Sequence, residues 1–237
     1  MRHDLSVRDL DAVELMDAPD ADLRMLERTY ERFRVVNALV AHPGGLYRRD
    51  IRPRARRTLV RVLDIGAGGG DVCRMIARRL RRDGLRGEIT ALDADERAIR
   101  WASARDAGDG VVYRHALSSE VVDAGERFDV IFSNHVLHHL DPSAFDQVLR
   151  DSLRLLAPGG VVVHRDIARS RTAYALYSAL TLPFASTLLR DSFIREDGLI
   201  SIRRSYTPRE LERSAPAGWS VHARLPARLE LRWEQGG

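Results

Sequence analysis

Residues 62–70 constrain the fold more than any other part of the chain. They read Val-Leu-Asp-Ile-Gly-Ala-Gly-Gly-Gly, an apolar run that ends in Asp64 and continues into a glycine-rich stretch up to Gly70. Glycine lacks a Cβ, so such a stretch can turn sharply and a ligand can lie against its backbone amides. The pattern predicts a buried strand followed by a turn around a nucleoside ligand, with Asp64 as an acceptor for a cation.

Two classes of nucleotide cofactor use such a turn, and the spacing of the glycines separates them. A dinucleotide fingerprint needs G-x-G-x-x-G/A, but the sixth position is Asp71 counted from Gly66 and Cys73 counted from Gly68. The next predicted strand ends in Asp93, an acid that either fold would use to hold ribose hydroxyls. The spacing therefore disfavours a dinucleotide-dependent oxidoreductase, which is kept as an alternative.

Strands and helices alternate from about residue 58 onwards. This alternation is typical of a parallel sheet covered by helices on both faces. Strands are predicted near residues 59–65, 87–93, 110–115, 128–134 and 160–166, with helices near 70–82, 95–106 and 142–156.

The first forty residues are predicted to be helical, because apolar residues recur at intervals of three or four behind Asp20, a candidate N-cap. We expect His42-Pro-Gly-Gly45 to end this helical region. Residues 1–45 are therefore assigned to an N-terminal helical cap and residues 58–237 to the nucleotide-binding domain. The apolar stripe consists of Leu23, Leu26, Tyr30, Phe33 and Val36.

The motifs, in their order and spacing, resemble those of class I S-adenosylmethionine (SAM)-dependent methyltransferases from about Leu59 to Ile167. The resemblance implies an α/β fold, a Rossmann-like, doubly wound, mostly parallel seven-stranded sheet with N-terminal helices. It also implies a helical lid inserted after strand 5, at about residues 168–206, and a final antiparallel hairpin. The matching pieces are Leu63–Gly70, Ala91–Asp93, Phe128–Asn134 and Leu155–Gly160.

The resemblance also implies the cofactor, SAM, and the residues that hold it. Asp64 would lie near the amino group of SAM, and Asp93 would bind the ribose hydroxyls. Many relatives carry Gly-Asp-Ala after the third strand, with the Asp near the adenine amino group, but this chain has Arg114-His115-Ala116. The expected cofactor contacts are Asp64, Gly66, Ala67, Gly68, Gly70, Asp93, Ala94, His115, Ala116 and Asn134.

Three histidines, His135, His138 and His139, occur within five residues after the fourth predicted strand. Ligands of doubly wound sheets lie at the carboxyl ends of the strands, and a neutral imidazole there can take a proton from a hydroxyl. We expect His138 or His139 to be catalytic, together with Asp166 after the fifth strand. Methyl transfer can also proceed by proximity alone, because the sulfonium is already activated. No metal is expected, because no nearby Cys or His-x-x-x-His helix completes a ligand set.

An apolar and aromatic stretch, residues 173–189, follows the fifth predicted strand and is interpreted as part of the lid. Similar insertions occur in quinone-biosynthesis and natural-product methyltransferases. The predicted acceptor is a small, aromatic or polyketide-like molecule that is methylated at a hydroxyl oxygen. Methylation at carbon or nitrogen, RNA methylation and a non-catalytic SAM-binding module are alternatives. The expected acceptor contacts are Tyr174, Tyr177, Arg203 and Tyr206.

The composition adds constraints on partners and location. The chain has 38 basic residues, all arginine, against 34 acidic ones, and a formal net charge of +4. The densest basic stretch, residues 48–57, lacks interleaved aromatic residues, so we expect a solvated linker and no nucleic-acid partner. A single cysteine, Cys73, excludes an internal disulfide. With no export signal or membrane span visible in the sequence, a cytoplasmic monomer or homodimer is expected.

Overall fold

The computed structural model describes residues 4–40 and 43–235, the side chains of residues 33–43 excepted. Seven strands form one sheet: β1 (Val60–Ile65), β2 (Gly87–Asp93), β3 (Val111–His115), β4 (Phe128–Asn134), β5 (Leu156–Ile167), β6 (Ser220–Arg224) and β7 (Arg228–Glu234). Their order is β3-β2-β1-β4-β5-β7-β6. The first five strands are parallel, whereas β7 runs antiparallel to β5 and β6 antiparallel to β7. The predicted doubly wound sheet with a final hairpin is confirmed.

Helices cover both faces of this sheet. The α-helices are α1 (Leu23–Val40), α2 (Pro43–Leu46), α3 (Arg52–Ala55), α4 (Asp71–Arg82), α5 (Glu96–Ala104), α6 (Ser118–Asp123), α7 (Pro142–Leu155), α8 (Arg171–Thr181), α9 (Ile194–Arg204) and α10 (Pro208–Ser214). Short 3₁₀ turns lie at Leu15–Asp17, Leu137–His139 and Leu182–Phe184, and a π-helical turn at Tyr47–Ile51.

The central strands are apolar on both faces, as a parallel sheet between two helical layers requires. Along β1, Val62 packs on one face in the cluster that contains Ile76 of α4. The next residue, Leu63, packs on the other face with Leu155 of α7. Because β1 and β4 are adjacent and parallel, the loops that follow Ile65 and Asn134 meet at the same edge of the sheet.

Residues 4–22 are mostly non-helical, which corrects the prediction of a helical N-terminus. Helix α1 begins at Leu23 because the Asp22 carboxylate accepts hydrogen bonds from the backbone N–H groups of Arg24 and Met25, at 2.8 and 3.0 Å. Asp22, rather than Asp20, therefore caps the helix.

The predicted apolar stripe of α1 is confirmed in part. Leu26 and Tyr30 are buried in a cluster with Trp101 of α5, whereas Leu23 is 62% exposed. The side chains of Phe33 and Val36 lie outside the described residues, as does His42, where the helical region was predicted to end.

The basic stretch, residues 48–57, is helical for most of its length and is not a solvated linker. Tyr47, Ile51 and Ala55 recur every four residues and are buried in the main core, so the stretch presents one apolar face to the sheet. Its arginines form ion pairs on the other side: Arg49 with Glu230 at 2.8 Å and Arg52 with Asp83 at 2.9 Å.

The segment between β5 and β6 is helical where the lid was predicted. Helices α8 and α9 approach each other closely at Gly198. Any side chain at this position would overlap the ring of Tyr177. The Tyr177 hydroxyl donates a hydrogen bond to the carbonyl of Ile194 at 2.7 Å. Within the part of the chain that the structure describes, no helix is long and apolar enough to span a membrane.

Candidate active site

Backbone N–H groups of the glycine loop after β1 hold the loop against the end of β2. The N–H groups of Gly66 and Ala67 both donate to the carbonyl of Leu92, at 2.8 and 2.9 Å. The N–H of Gly68 donates to the Asp93 carboxylate at 2.7 Å. Gly68 has a φ of +52°, and a Cβ built there meets no atom within 4 Å. It would project into open space that a ligand can fill.

Asp64, at the end of β1, is buried and only partly paired. Its Oδ2 accepts a hydrogen bond from the Cys73 thiol at 3.3 Å, whereas its buried Oδ1 has no partner among the described residues. Burial raises the pKa of this carboxyl well above its usual value. A buried carboxylate oxygen without a donor fits the amino group of a bound ligand, as the sequence predicted.

Asp93, at the end of β2, faces the same space. Its two oxygens accept from the backbone N–H groups of Gly68 and Asp95, at 2.7 and 2.9 Å. Burial raises the pKa of Asp93. Each carboxylate oxygen has a second lone-pair direction, so the side chain is fixed in place and can still accept from ligand hydroxyls.

A cavity of about 910 Å³ lies along the carboxyl ends of the strands. The glycine loop and the ends of β1, β2 and β4 form one side of it, and the N-terminal segment and α9 close the other. The predicted cofactor residues in its wall are Asp64, Gly66, Ala67, Gly68, Asp93, Ala94, His115, Ala116 and Asn134. The structure therefore brings nine of the ten together. Gly70 does not line the cavity, and a Cβ there would instead meet Tyr113 and Arg74.

A cluster of imidazoles and carboxylates lies beside the cavity, with Glu14, Asp17, His138 and His139 in its wall. His138 is 1% exposed and lies between two acids: its Nδ1 is 2.7 Å from Asp166 Oδ1, and its Nε2 is 3.1 Å from Glu14 Oε1. His139 is about one-third exposed, with its Nδ1 3.0 Å from Asp17 Oδ2 and its Nε2 3.8 Å from Glu14 Oε2. We call Glu14, Asp17, His138, His139 and Asp166 the histidine–carboxylate cluster.

Charge pairing shifts the pKa values of the buried members strongly. Burial alone would lower the pKa of His138, but the Asp166 and Glu14 carboxylates overcome it and raise the pKa to about 10. Burial alone would raise the pKa of Glu14, but the hydrogen bond from His138 and the two imidazoles lower it to about 2. The two carboxylates thus favour the imidazolium form of His138.

The N-terminal segment, residues 5–19, carries Glu14 and Asp17 to this site and was not predicted to contribute. Backbone groups of the segment are held by side chains of the main domain. The Asp197 carboxylate accepts from the N–H groups of Leu15 and Met16, at 2.7 and 3.0 Å. Arg97 donates to the carbonyls of Met16 and Ala18, at 3.2 and 3.0 Å. The only signal in the sequence is an acid pair three residues apart before a helix, which is common on protein surfaces.

Several predicted site residues lie away from the cavity. Asp166 is buried behind His138 and borders a second, smaller cavity of about 430 Å³, together with His135. Of the four predicted acceptor contacts, only Tyr177 lines the large cavity. Arg203 instead pairs with Asp9, and the guanidinium of Arg8 lies 3.7 Å from the ring centre of Tyr206. Tyr174 lies on the same helix as Tyr177 but is not in the wall of the large cavity.

Part of the chain matches a known protein family. Residues 62–160, from β1 into β5, match the family described as "Methyltransferase domain". Over these residues, the chain is similar to class I SAM-dependent methyltransferase domains. SAM is the cofactor of such domains, and the glycine loop with its partly paired Asp64 fits it.

Curated relatives agree with this assignment. The chain is 37% identical over 121 residues to a "Ubiquinone biosynthesis O-methyltransferase" of Maricaulis maris, a match that covers 49% of this chain and 44% of the relative. A protein of the same name from Parvibaculum lavamentivorans is 37% identical over 134 residues, which cover 55% of this chain and 48% of the relative. The match therefore spans about half the length of these relatives.

The fold of the methyltransferase domain and its attachments is also found among solved structures. The plantazolicin methyltransferase BpumL in complex with SAH aligns with a TM-score of 0.65 at 14% sequence identity. The alignment covers 94% of this chain and 93% of that one. At 14% sequence identity, this alignment shows a shared fold and nothing about function.

Proposed function

We propose that this chain transfers the methyl group of SAM to a hydroxyl oxygen of a small, apolar, aromatic or polyketide-like acceptor. The observation that carries the proposal is a single cavity that joins the glycine loop to the histidine–carboxylate cluster. With the amino group of SAM at Asp64 and its ribose at Asp93, the remaining space lies beside the cluster. That space is where the acceptor binds.

SAM supplies an activated methyl group, and the residues of the chain supply binding, orientation and a place for the acceptor's proton. The acceptor hydroxyl must lose its proton as its oxygen bonds to the methyl carbon. Glu14 and His139 both face the cavity at this end, so the proton leaves the acceptor at the cluster. Holding the two reactants in line supplies much of the acceleration.

The lining of the acceptor end favours an apolar molecule. Leu140, Ile167 and Ile194 lie in its wall, and Tyr177 adds an aromatic face. The relatives' printed names, ubiquinone biosynthesis O-methyltransferase, support oxygen as the methylated atom and a quinone-related acceptor.

The other acceptor classes are weaker candidates. RNA methylation would rely on the arginines of the basic stretch, residues 48–57. These are partly engaged within the chain, since Arg54 donates to the carbonyls of Asp50 and Gly159. Methylation at carbon or nitrogen uses the same cofactor site, so only the product separates it from methylation at oxygen.

The experiment that tests the proposal has two steps. Calorimetric titration with SAM, SAH and reduced nicotinamide dinucleotide should show binding of the two sulfur nucleosides alone. SAM and a panel of phenols, catechols and hydroxyquinones should then yield SAH and an O-methyl product, identified by NMR. SAM binding without turnover on any acceptor would favour a non-catalytic module, and an N- or C-methyl product would refute the oxygen assignment.

A further inference from the structure

The histidine–carboxylate cluster has the geometry of a metal site. Glu14, His138 and His139 each offer one ligand atom, and these atoms lie within 4.8 Å of one another. The two imidazole Nε2 atoms lie 3.1 and 3.8 Å from oxygens of the same Glu14 carboxylate. Ligand atoms bonded at about 2.0–2.2 Å to one tetrahedral ion are separated by roughly 3.3–3.6 Å, so small side-chain movements would suffice to place all three around one ion.

The outer contacts of both histidines are those that a metal site needs. The Nδ1 of His138 is 2.7 Å from Asp166, and the Nδ1 of His139 is 3.0 Å from Asp17. An imidazole whose Nδ1–H is held by a carboxylate presents its Nε2 lone pair in a fixed direction, and metal-bound histidines are held in this way. The Ser201 hydroxyl donates to Glu14 at 2.6 Å and orients the third ligand.

The charge balance of the cluster also favours a cation. Three carboxylates, from Glu14, Asp17 and Asp166, lie within 4 Å of the ring nitrogens of His138 and His139. His135 Nδ1 lies 3.7 Å from the Asp166 carboxylate. The nearest arginines do not neutralise the ligand carboxylate: Arg204 donates to the carbonyls of His138 and His139, at 3.1 and 3.0 Å. Arg8 likewise donates to carbonyls, of Arg204 at 2.7 Å and of His138 at 3.4 Å. The arginines fix the loop and leave its acidic centre facing the cavity.

We propose that Glu14, His138 and His139 bind one divalent transition-metal ion, of which Zn²⁺ and Mn²⁺ are the test cases, with a coordination position open to the acceptor. Two imidazoles and one carboxylate suit such ions, and three protein ligands with one open position are typical of catalytic rather than structural zinc sites. The sequence-based prediction of no metal considered only residues near the histidines. It did not include a ligand from the distant N-terminal segment.

The part of the ion in the reaction rests on the proposed function. The acceptor's hydroxyl oxygen would take the open position, and its proton would leave at the cluster and pass from there to water. An oxygen lone pair then forms the bond to the methyl carbon, and the electron pair of the breaking carbon–sulfur bond goes to sulfur, which gives SAH. No oxidation or reduction takes place, and the ion is unchanged.

The first test measures binding of the metal alone. The full-length chain, freed of metal by a chelator, is titrated with ZnCl₂ and separately with MnCl₂ by calorimetry. We expect one ion per chain with micromolar or tighter affinity for at least one of the two. Glu14→Gln and His139→Ala should weaken binding at least tenfold, and Asp17→Asn, which loosens an outer contact, on the order of 10- to 100-fold. His222→Gln, at an exposed histidine of β6 outside the cluster, should bind the ion as the parent chain does.

Binding of SAH reports whether each variant is folded, because Asp64 and Gly68, the residues assigned to the cofactor, are not members of the cluster. Failure of the metal-free chain to bind either ion while it still binds SAH would overturn the proposal, as would equal metal affinity in Glu14→Gln. The two proposals can fail separately. Metal binding without turnover would refute the function and leave the site, whereas turnover that is unaffected by chelation would refute the metal's part in the reaction.

Discussion

Asp64 is a carboxylate that the folded chain holds with one oxygen unpaired in a buried position. A buried carboxylate that ionises beside no cation costs stability, and asparagine keeps the shape of Asp64 without the charge. We therefore predict that Asp64→Asn raises the free energy of unfolding of the ligand-free chain by about 1 kcal/mol and lowers SAM affinity about tenfold or more. Denaturant titration and calorimetry measure the two effects. Asp146→Asn, at an exposed carboxylate of α7, should change neither, and a loss of both stability and affinity would contradict the argument.

Gly68 is a second residue whose substitution separates binding from folding. A valine there would place a branched side chain in the space assigned to SAM, so Gly68→Val should weaken SAH binding by on the order of 100-fold. Gly108 is the matched control, because it also has a positive φ, +82°, and open space around its Cβ. Gly108→Val should carry a similar backbone strain and keep SAH affinity. Unchanged affinity in Gly68→Val would mean that the cofactor lies elsewhere.

At the scale of elements, the N-terminal segment behaves as a strap across the acceptor end of the cavity. It is held largely by its backbone, and Asp197 of α9 accepts two of its hydrogen bonds. We predict that Asp197→Ala lowers hydrogen-exchange protection of the Leu15 and Met16 amides about tenfold, since one lost buried hydrogen bond is worth roughly 1 kcal/mol. The KM for the acceptor should rise more than the Kd for SAM.

Glu196→Ala is the control for this element, because Glu196 is the exposed neighbour of Asp197 on the same helix. It should leave both the exchange rates and the acceptor KM as they are. Equal changes in the two variants would show that α9, and not the carboxylate of Asp197, holds the segment.

At the scale of the whole molecule, one buried histidine makes folding depend on pH. His164 of β5 lies between the hydroxyls of Ser133 and Ser152, at 2.8 and 3.3 Å, and stacks on Trp219. Burial lowers the pKa of His164 to about 3. Between pH 3 and the ordinary pKa of about 6.5, the unfolded chain binds one proton more at this residue than the folded chain does.

Stability from this residue is therefore complete above about pH 6.5 and is lost as the pH falls. We predict a loss of about 2 kcal/mol from His164 between pH 7 and pH 5. Because other groups titrate in the same window, the measurement is the difference in unfolding free energy between the parent chain and His164→Gln at each pH. That difference should shrink at low pH. His222→Gln, at an exposed histidine of β6, controls for the loss of a histidine as such.

The sequence by itself determined the sheet and the glycine loop, and it identified nine residues, predicted to bind the cofactor, that line the cavity. These features follow from short-range requirements: apolar residues in a strand, glycines where the chain turns against a ligand, and acids at the ends of successive parallel strands. Local patterns failed for residues 48–57, where charge suggested a solvated linker but Tyr47, Ile51 and Ala55 share one buried helical face.

Only the tertiary structure decided the acceptor end. Glu14 contacts His138 although the two residues are 124 positions apart in the chain. Asp166, in β5, contacts the other nitrogen of the same ring. The N-terminal segment is positioned mainly by hydrogen bonds to its own backbone. Almost every residue type has these backbone groups, so the sequence of the segment does not indicate where it packs. The sequence therefore identified the histidines and Asp166, whereas the contribution of Glu14 and Asp17 emerged only when distant parts of the chain packed together.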